Sequence, residues 1–223
     1  MTKTVNTSEW VDGWRRSYSS GLMTKFRSIF FDLAFFDHVP DRSARTMDVG
    51  CGTGFFIRRI TELGYVNARG IEPDERLVPE DLKDRIRIGS ALAPLAEPES
   101  LDCVYYFNVV HHLATTDEYR TSMHHADSAL VPGGALIFLE PNMRWFYQLE
   151  LFAGRILGKV WPFARGLADA LAAEWDTLMY FFDHQDFLKA ELQRMGYKVV
   201  RERHLGHQWI LVGRKPERPV KTG

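Results

Sequence analysis

Three glycines separated by single residues, Gly50, Gly52 and Gly54, follow the apolar stretch Thr46–Val49 and precede the apolar, helix-forming stretch Phe55–Ile60. Glycine tolerates positive φ and lets a ligand approach the backbone where a Cβ would obstruct it. A strand, a glycine loop and a helix in that order open a nucleotide-binding βαβ unit. Ala68–Glu72 reads as the second strand, and Glu72 ends it twenty residues after Gly52. At that offset a carboxylate accepts hydrogen bonds from ribose hydroxyls. A dinucleotide loop would want glycine or alanine where Phe55 stands, so that helix and strand can close around a pyrophosphate. Asp48, in the first strand, adds a negative charge that repels a pyrophosphate and suits a cationic ligand. The spacing therefore points to an adenosine with a zwitterionic or cationic 5′ substituent, as in S-adenosylmethionine.

Taken with Gly70-Ile71-Glu72-Pro73-Asp74, Leu101–Asn108, Val109–Leu113 and Leu130–Ile137, the glycine loop resembles that of the class I S-adenosylmethionine-dependent methyltransferases. The likeness is greatest to the small, single-domain members that act on small molecules. It covers residues 44–141 well and 183–214 loosely. The resemblance implies an α/β fold with a Rossmann-like, doubly wound, seven-stranded sheet, mostly parallel with an antiparallel last strand. It also implies S-adenosylmethionine as cofactor, held by Asp48, Gly50, Cys51, Gly52, Gly54, Glu72, Pro73, Ser90, Ala91 and Asn108. Tyr18 would close over it from the N-terminal helices. Ser90 departs from the pattern, because the family often has an aspartate there that meets the adenine amine. A hydroxyl or the adjacent backbone is left to make that contact.

His111 and His112 are the ionisable pair nearest the expected chemistry. Histidine titrates near neutrality and can take a proton from a hydroxyl or amine nucleophile. The competing reading is that one of them only packs or caps the turn after the fourth strand. His111 is preferred as the one facing the pocket. A carboxylate acceptor would arrive ionised and need no base. No group of His, Cys, Asp or Glu has metal-ligand spacing, so no metal is expected.

The elements that must position these residues follow from periodicity. Strands are expected near 45–49, 68–72, 85–89, 101–107 and 135–140, and helices near 54–64, 74–83, 117–130 and 184–195. Pro132-Gly133-Gly134 reads as a turn before the fifth strand, and Tyr197–Val200 with Gln208–Val212 as a final antiparallel pair. Residues 1–43 form an aromatic-rich helical lid segment that Gly21 divides, and 44–141 with 183–214 form the cofactor-binding domain. Residues 142–182 are too long for an ordinary connection and are rich in Trp, Phe and Leu. They read as a helical insert after the fifth strand, capping the substrate.

At 223 residues the chain suits one α/β domain, and 45% hydrophobic with 26% charged residues is ordinary for a globular protein. A net charge of −1 gives no general attraction to nucleic acid, so none is expected as a partner. Cys51 and Cys103 belong to no CxxC pair and read as free thiols in a reducing, cytoplasmic setting. No signal-peptide pattern or membrane-spanning run is visible. The expected function is methylation, with oxygen favoured, of a small, partly apolar molecule. One alternative is a cofactor-binding regulatory module without turnover. The other is a membrane-peripheral enzyme for lipid-like acceptors, because residues 143–165 carry Arg144, Arg155, Lys159 and Arg165 against the single acid Glu150. On sequence grounds a lid whose charges face water is preferred to that membrane contact.

Overall fold

The structure, a computed structural model, describes residues 21–218. Seven strands form one sheet: β1 (Thr46–Val49), β2 (Ala68–Glu72), β3 (Ile86–Ile88), β4 (Leu101–Phe107), β5 (Leu130–Pro141), β6 (Lys198–Leu205) and β7 (Gln208–Arg214). Their order is β3-β2-β1-β4-β5-β7-β6. The first five are parallel, while β7 runs antiparallel to both β5 and β6. The order reverses beside β1. Its carboxyl end and that of β4 therefore flank the crevice in which open α/β sheets bind ligands.

Helices cover both faces. α1 (Gly21–Phe35) and α2 (Phe55–Glu62) lie on one, and α3 (Thr116–Ala129), α6 (Trp175–His184) and α7 (Asp186–Arg194) pack on the other. The two-residue period of the strands divides the core between them. Val104, Tyr106, Leu136 and Phe138 join the cluster under α3 and α7, while Cys103, Tyr105, Phe107, Ile137 and Leu139 join the one under α1 and α2. Strands buried on both sides must be apolar at every position. That accounts for the unbroken run Ala135–Leu139 and makes Glu140, fully buried at its end, conspicuous.

Two local expectations fail for identifiable reasons. Residues 74–83 are two short 3-10 turns, Glu75–Leu77 and Glu80–Leu82, and not a helix. Pro79 forces Val78 into an extended conformation (φ −77°, ψ 116°), which ends the first turn. The Pro132–Gly134 turn lies within β5 and does not precede it. Leu130 pairs with Leu101 and Ala135 with Cys103, so residues 131–134 bulge from a strand that has already begun. The remaining expected strands and the helices near 54–64, 117–130 and 184–195 are present.

The insert contains three helices: α4 (Arg144–Leu157), α5 (Pro162–Ala173) and α6. Leu151, Ala168, Leu171 and Leu178 form a small core of their own. At Gly154 an added Cβ would lie 2.8 Å from the Ala168 Cβ, so α4 and α5 approach at small side chains.

On the opposite face, Phe31 of α1 is fully buried, stacked on Phe56 of α2 at 4.6 Å and edge-on to Phe107 at 4.9 Å. Phe31→Ala should therefore cost about 3–5 kcal/mol of stability, read by urea denaturation. A loss under about 1 kcal/mol would mean that α1 does not belong to the cooperative core.

Candidate functional site

The glycine loop is held from the neighbouring strand. Gly50 and Cys51 both donate their backbone N–H to the Ile71 carbonyl, at 2.8 and 3.1 Å. Gly50, Gly52 and Gly54 all have positive φ, at 69°, 54° and 71°. Their surroundings differ. A Cβ on Gly54 would sit 2.3 Å from Leu82 Cδ1, and one on Gly50 would sit 2.8 Å from both Val109 methyls. At Gly52 nothing lies within 4 Å. Gly54 and Gly50 are thus bare for packing, while Gly52 faces open space.

Glu72 closes the arrangement. Its Oε2 accepts the Gly52 N–H at 2.8 Å and its Oε1 the Asp74 N–H at 3.0 Å, leaving lone pairs on each oxygen. Burial pushes this carboxyl above its ordinary value, against the downward pull of those two donors. Asp48 is buried in β1 with Oδ2 lacking a hydrogen bond, and burial and then Glu72 push it well above the carboxylate range. Cys51 is buried, its thiol pushed up by burial, and its Sγ occupies the space that a Cβ on Gly70 would need. Pro73 and Ser90 are exposed, and the Ser90 hydroxyl accepts the Leu92 N–H. Ala91 is half-buried against the core. Tyr18 lies outside the described residues.

A second loop opens from β4. Asn108 turns the chain in the left-handed region (φ 56°), a conformation that asparagine tolerates better than most residues. The 3-10 turn Val110–His112 follows. Glu140, at the end of β5, organises this turn. Its Oε1 accepts the N–H groups of Val109 and Val110 at 2.9 and 2.8 Å, and its Oε2 lies 2.8 Å from His111 Nδ1. Burial pushes Glu140 up to about 7 and His111 down to about 3. With three donors converging on Glu140, the arrangement is a carboxylate receiving Nδ1–H from a neutral His111. Sequence reasoning missed Glu140, although the one acid closing an apolar strand was a visible signal.

The order expected for the two histidines is reversed. His111 is locked inside by Glu140, while the His112 side chain is 22% exposed and its Nδ1 lies 3.4 Å from Glu174 Oε2. Burial, then the adjacent His111, hold His112 well below its ordinary value. Glu174 joins α5 to α6 and has no sequence signature that could have found it. One ligand atom from each of His111, His112 and Glu174 falls within 4.8 Å of the others, close enough for a cation. Spacing along the chain gave no hint of this group, because Glu174 reaches it only through the fold.

The sequence matches a known family. Residues 24–202, most of the chain, match the model of a family described as a methyltransferase domain. Among curated proteins, the tRNA U34 carboxymethyltransferase of Idiomarina loihiensis is 29% identical over 112 residues, 45% of this chain. The chain spans only 34% of that relative's length. Among solved structures, the PH0226 protein of Pyrococcus horikoshii superposes with a TM-score of 0.67 at 13% identity, over 94% of this chain and 100% of that one. A Methanococcus maripaludis protein described as an S-adenosyl-L-methionine-dependent methyltransferase gives 0.61 at 12% identity, over 99% of both chains. The likeness to these two structures is one of fold. The chain belongs to the methyltransferase-domain family.

The unequal surroundings of the loop glycines should be measurable. Gly54→Ala should destabilise the fold by about 2–4 kcal/mol, from left-handed strain together with overpacking against Leu82. Gly52→Ala should cost only the strain, about 1–2 kcal/mol. Equal losses in thermal or urea unfolding would contradict the geometry.

Proposed function

We propose that this protein transfers the methyl group of S-adenosylmethionine to a small, partly apolar acceptor, with oxygen the favoured nucleophile. The observation that carries the reading is the convergence of two loops at the carboxyl ends of the central strands β1 and β4. The glycine loop with Glu72 is suited to the donor, and the turn bearing His112 to the acceptor. The open space at Gly52, the spare lone pairs of Glu72 and the orphaned Asp48 Oδ2 fit an adenosyl ligand that carries positive charge. In this reading Glu72 takes the ribose hydroxyls, the loop amides take the carboxylate of the methionyl group, and Asn108 borders the point of transfer. Pro73, Ser90 and Ala91 flank the adenine side. The insert 142–182 acts as substrate cap, whereas α1, within the segment 1–43 expected as a lid, is built into the core through Phe31, Ala34 and Phe35.

Bound there, the cofactor supplies an electrophilic methyl group on a sulfonium. Methyl transfer is an in-line displacement, so the protein's principal work is alignment and exclusion of water. His112, held uncharged at neutral pH, is the base that accepts the proton of a hydroxyl nucleophile, and Glu174 orients its ring and stabilises the imidazolium. His111 serves as a positioning residue, since Glu140 fixes it and the backbone on either side of it. An acceptor that arrives as a carboxylate dispenses with the base.

The tRNA-modifying relatives raise a nucleic-acid acceptor as the competing outcome. The net charge of −1 argues against it. Methyl transfer should be seen with small hydroxylated or carboxylated apolar acceptors and not with tRNA. Methylation of tRNA alone would overturn the small acceptor, and cofactor binding without any turnover would identify a regulatory module. Dialysis against EDTA should leave the rate unchanged, since the chemistry needs no metal. A rate lost to EDTA and restored by a divalent cation would assign His111, His112 and Glu174 to an ion instead.

Glu72→Ala should weaken cofactor binding by about 1.5–3 kcal/mol in isothermal titration. In the wild type the affinity should be highest at neutral pH and fall on acidification. The fall should begin above the ordinary carboxylate range, because burial raises Glu72 and its protonated form is the poorer acceptor. An affinity unaffected by the substitution would mean that the ribose lies elsewhere. His112→Asn should lower kcat by about 10²-fold or more for hydroxyl acceptors, with cofactor affinity retained. An unchanged kcat would remove His112 from proton transfer.

A further inference from the structure

The insert presents its apolar side to solvent. Along α4, Trp145, Leu149, Phe152 and Ile156 recur at intervals of four, three and four residues. They are 60%, 56%, 63% and 50% exposed. That spacing places them on one stripe of the helix. Leu157, the last residue of the helix, and Val160 and Trp161 beyond it are exposed as well. Elsewhere among the described residues, the large exposed apolar side chains occur singly or in pairs, such as Ile29 with Leu33 on α1, Leu63 with Val66, and Ile88. The buried side of α4 is already satisfied, since Leu151 and Gly154 face Ala164 and Ala168 of α5. The four exposed side chains of α4 take no part in that inner seam, and exposed apolar patches of this kind mark interaction surfaces.

We propose that this stripe is a membrane-contact face, by which α4 lies in the interface of a bilayer carrying anionic lipids. Charge complementarity chooses the occupant. Arg155 and Lys159 are exposed beside the stripe, and neither has an ion-pair partner among the described residues. Arg165 is exposed on the adjoining helix, its Nε–H donated to the Gly158 carbonyl. Glu150 is the only acid between residues 144 and 165, and it is half-buried. A second copy of the chain paired through this stripe would bring Arg155 and Lys159 of both copies together with only the half-buried Glu150 of each α4 to offset them, whereas an anionic leaflet neutralises them. Trp145 and Trp161, at the two ends of the run, are the aromatic type that settles at the level of the lipid headgroups. An amphipathic helix with basic flanks and an apolar face lies in the membrane plane and does not span it. In keeping with this, no helix among the described residues is long and apolar enough to cross a bilayer. Because α4 leaves β5 directly after Glu140 and Pro141, the docked helix would bring the acceptor side of the crevice towards the lipid.

The test is flotation of the full chain with phosphatidylcholine vesicles, with and without phosphatidylglycerol. The protein should float with the anionic vesicles and much less with the neutral ones. Replacing both Arg155 and Lys159 by Ala should reduce partitioning by about tenfold or more, since each basic residue near an anionic surface is worth about a factor of five. Phe152→Glu with Ile156→Glu should abolish flotation. Both positions are solvent-exposed, so unchanged circular dichroism and cofactor affinity will show that the fold and the donor site are intact. Cofactor affinity and turnover of a soluble acceptor report on the proposed function independently of flotation. A wild type that stays at the bottom of the gradient with both vesicle types overturns the proposal. So does a concentration-dependent dimer that Phe152→Glu dissolves, which would make a second copy the occupant. A truncation lacking residues 1–20 that floats when the full chain does not would likewise overturn it, because the chain's own N-terminus would then cover the stripe.

Discussion

Two carboxylates buried at strand ends hold the crevice in shape. Glu72 ends β2 and accepts an N–H from the loop after β1, and Glu140 ends β5 and accepts two from the turn after β4. In both cases the acid sits on one strand and the loop it anchors belongs to its neighbour. Parallel strands end on the same side of a sheet, so a side chain at one terminus can reach the loop that departs from the next. Loops in this position would otherwise carry buried N–H groups without partners, each at a cost of about 1–3 kcal/mol. A carboxylate satisfies several at once and fixes the backbone more tightly than water would.

The same device gives the adjoining side chains their chemistry. At Glu140 the third donor is His111, which is thereby kept neutral and immobile, and the adjacent His112 is left partly exposed beside Glu174. At Glu72 the anchoring oxygens retain capacity to accept further hydrogen bonds. Asp48, between the two, has no donor for one oxygen and is raised by burial and by Glu72. A cationic ligand would relieve that electrostatic burden, whereas a pyrophosphate would add to it. In the proposed reading, a sulfonium placed there would favour the ionised forms of Asp48 and Glu72 that burial disfavours.

How far the chain could be read in advance divides along the range of the interactions involved. The glycine loop, the strand ending in Glu72 and the parallel sheet were legible because each rests on local pattern, namely positive φ, a strand terminus and apolar runs. The segment 74–83 was misread because its helical composition hid the local veto of Pro79. Glu140 was legible in principle, since an acid closing the apolar run Ala135–Leu139 has to be satisfied by something. Glu174 was not, because its place beside His112 depends on how three insert helices turn over the sheet. The histidine that faces outwards was likewise undecidable from the pair alone, until Glu140 claimed one of them. The apolar content of 142–182 was plain, but whether it pointed in or out depended on Gly154 and its neighbours forming the inner seam.

One contact joins the two halves of the crevice. The Val109 methyls fill the space that a side chain at position 50 would need, so the turn after β4 leans directly on the loop after β1. Neither can shift without carrying the other. A lineage seeking new acceptors would find that turn a poor place to vary, because each alteration there would be felt by the donor cradle. The freedom to change partners lies instead in α4 and α5, because α6 packs on that same turn and Glu174 lies beside His112.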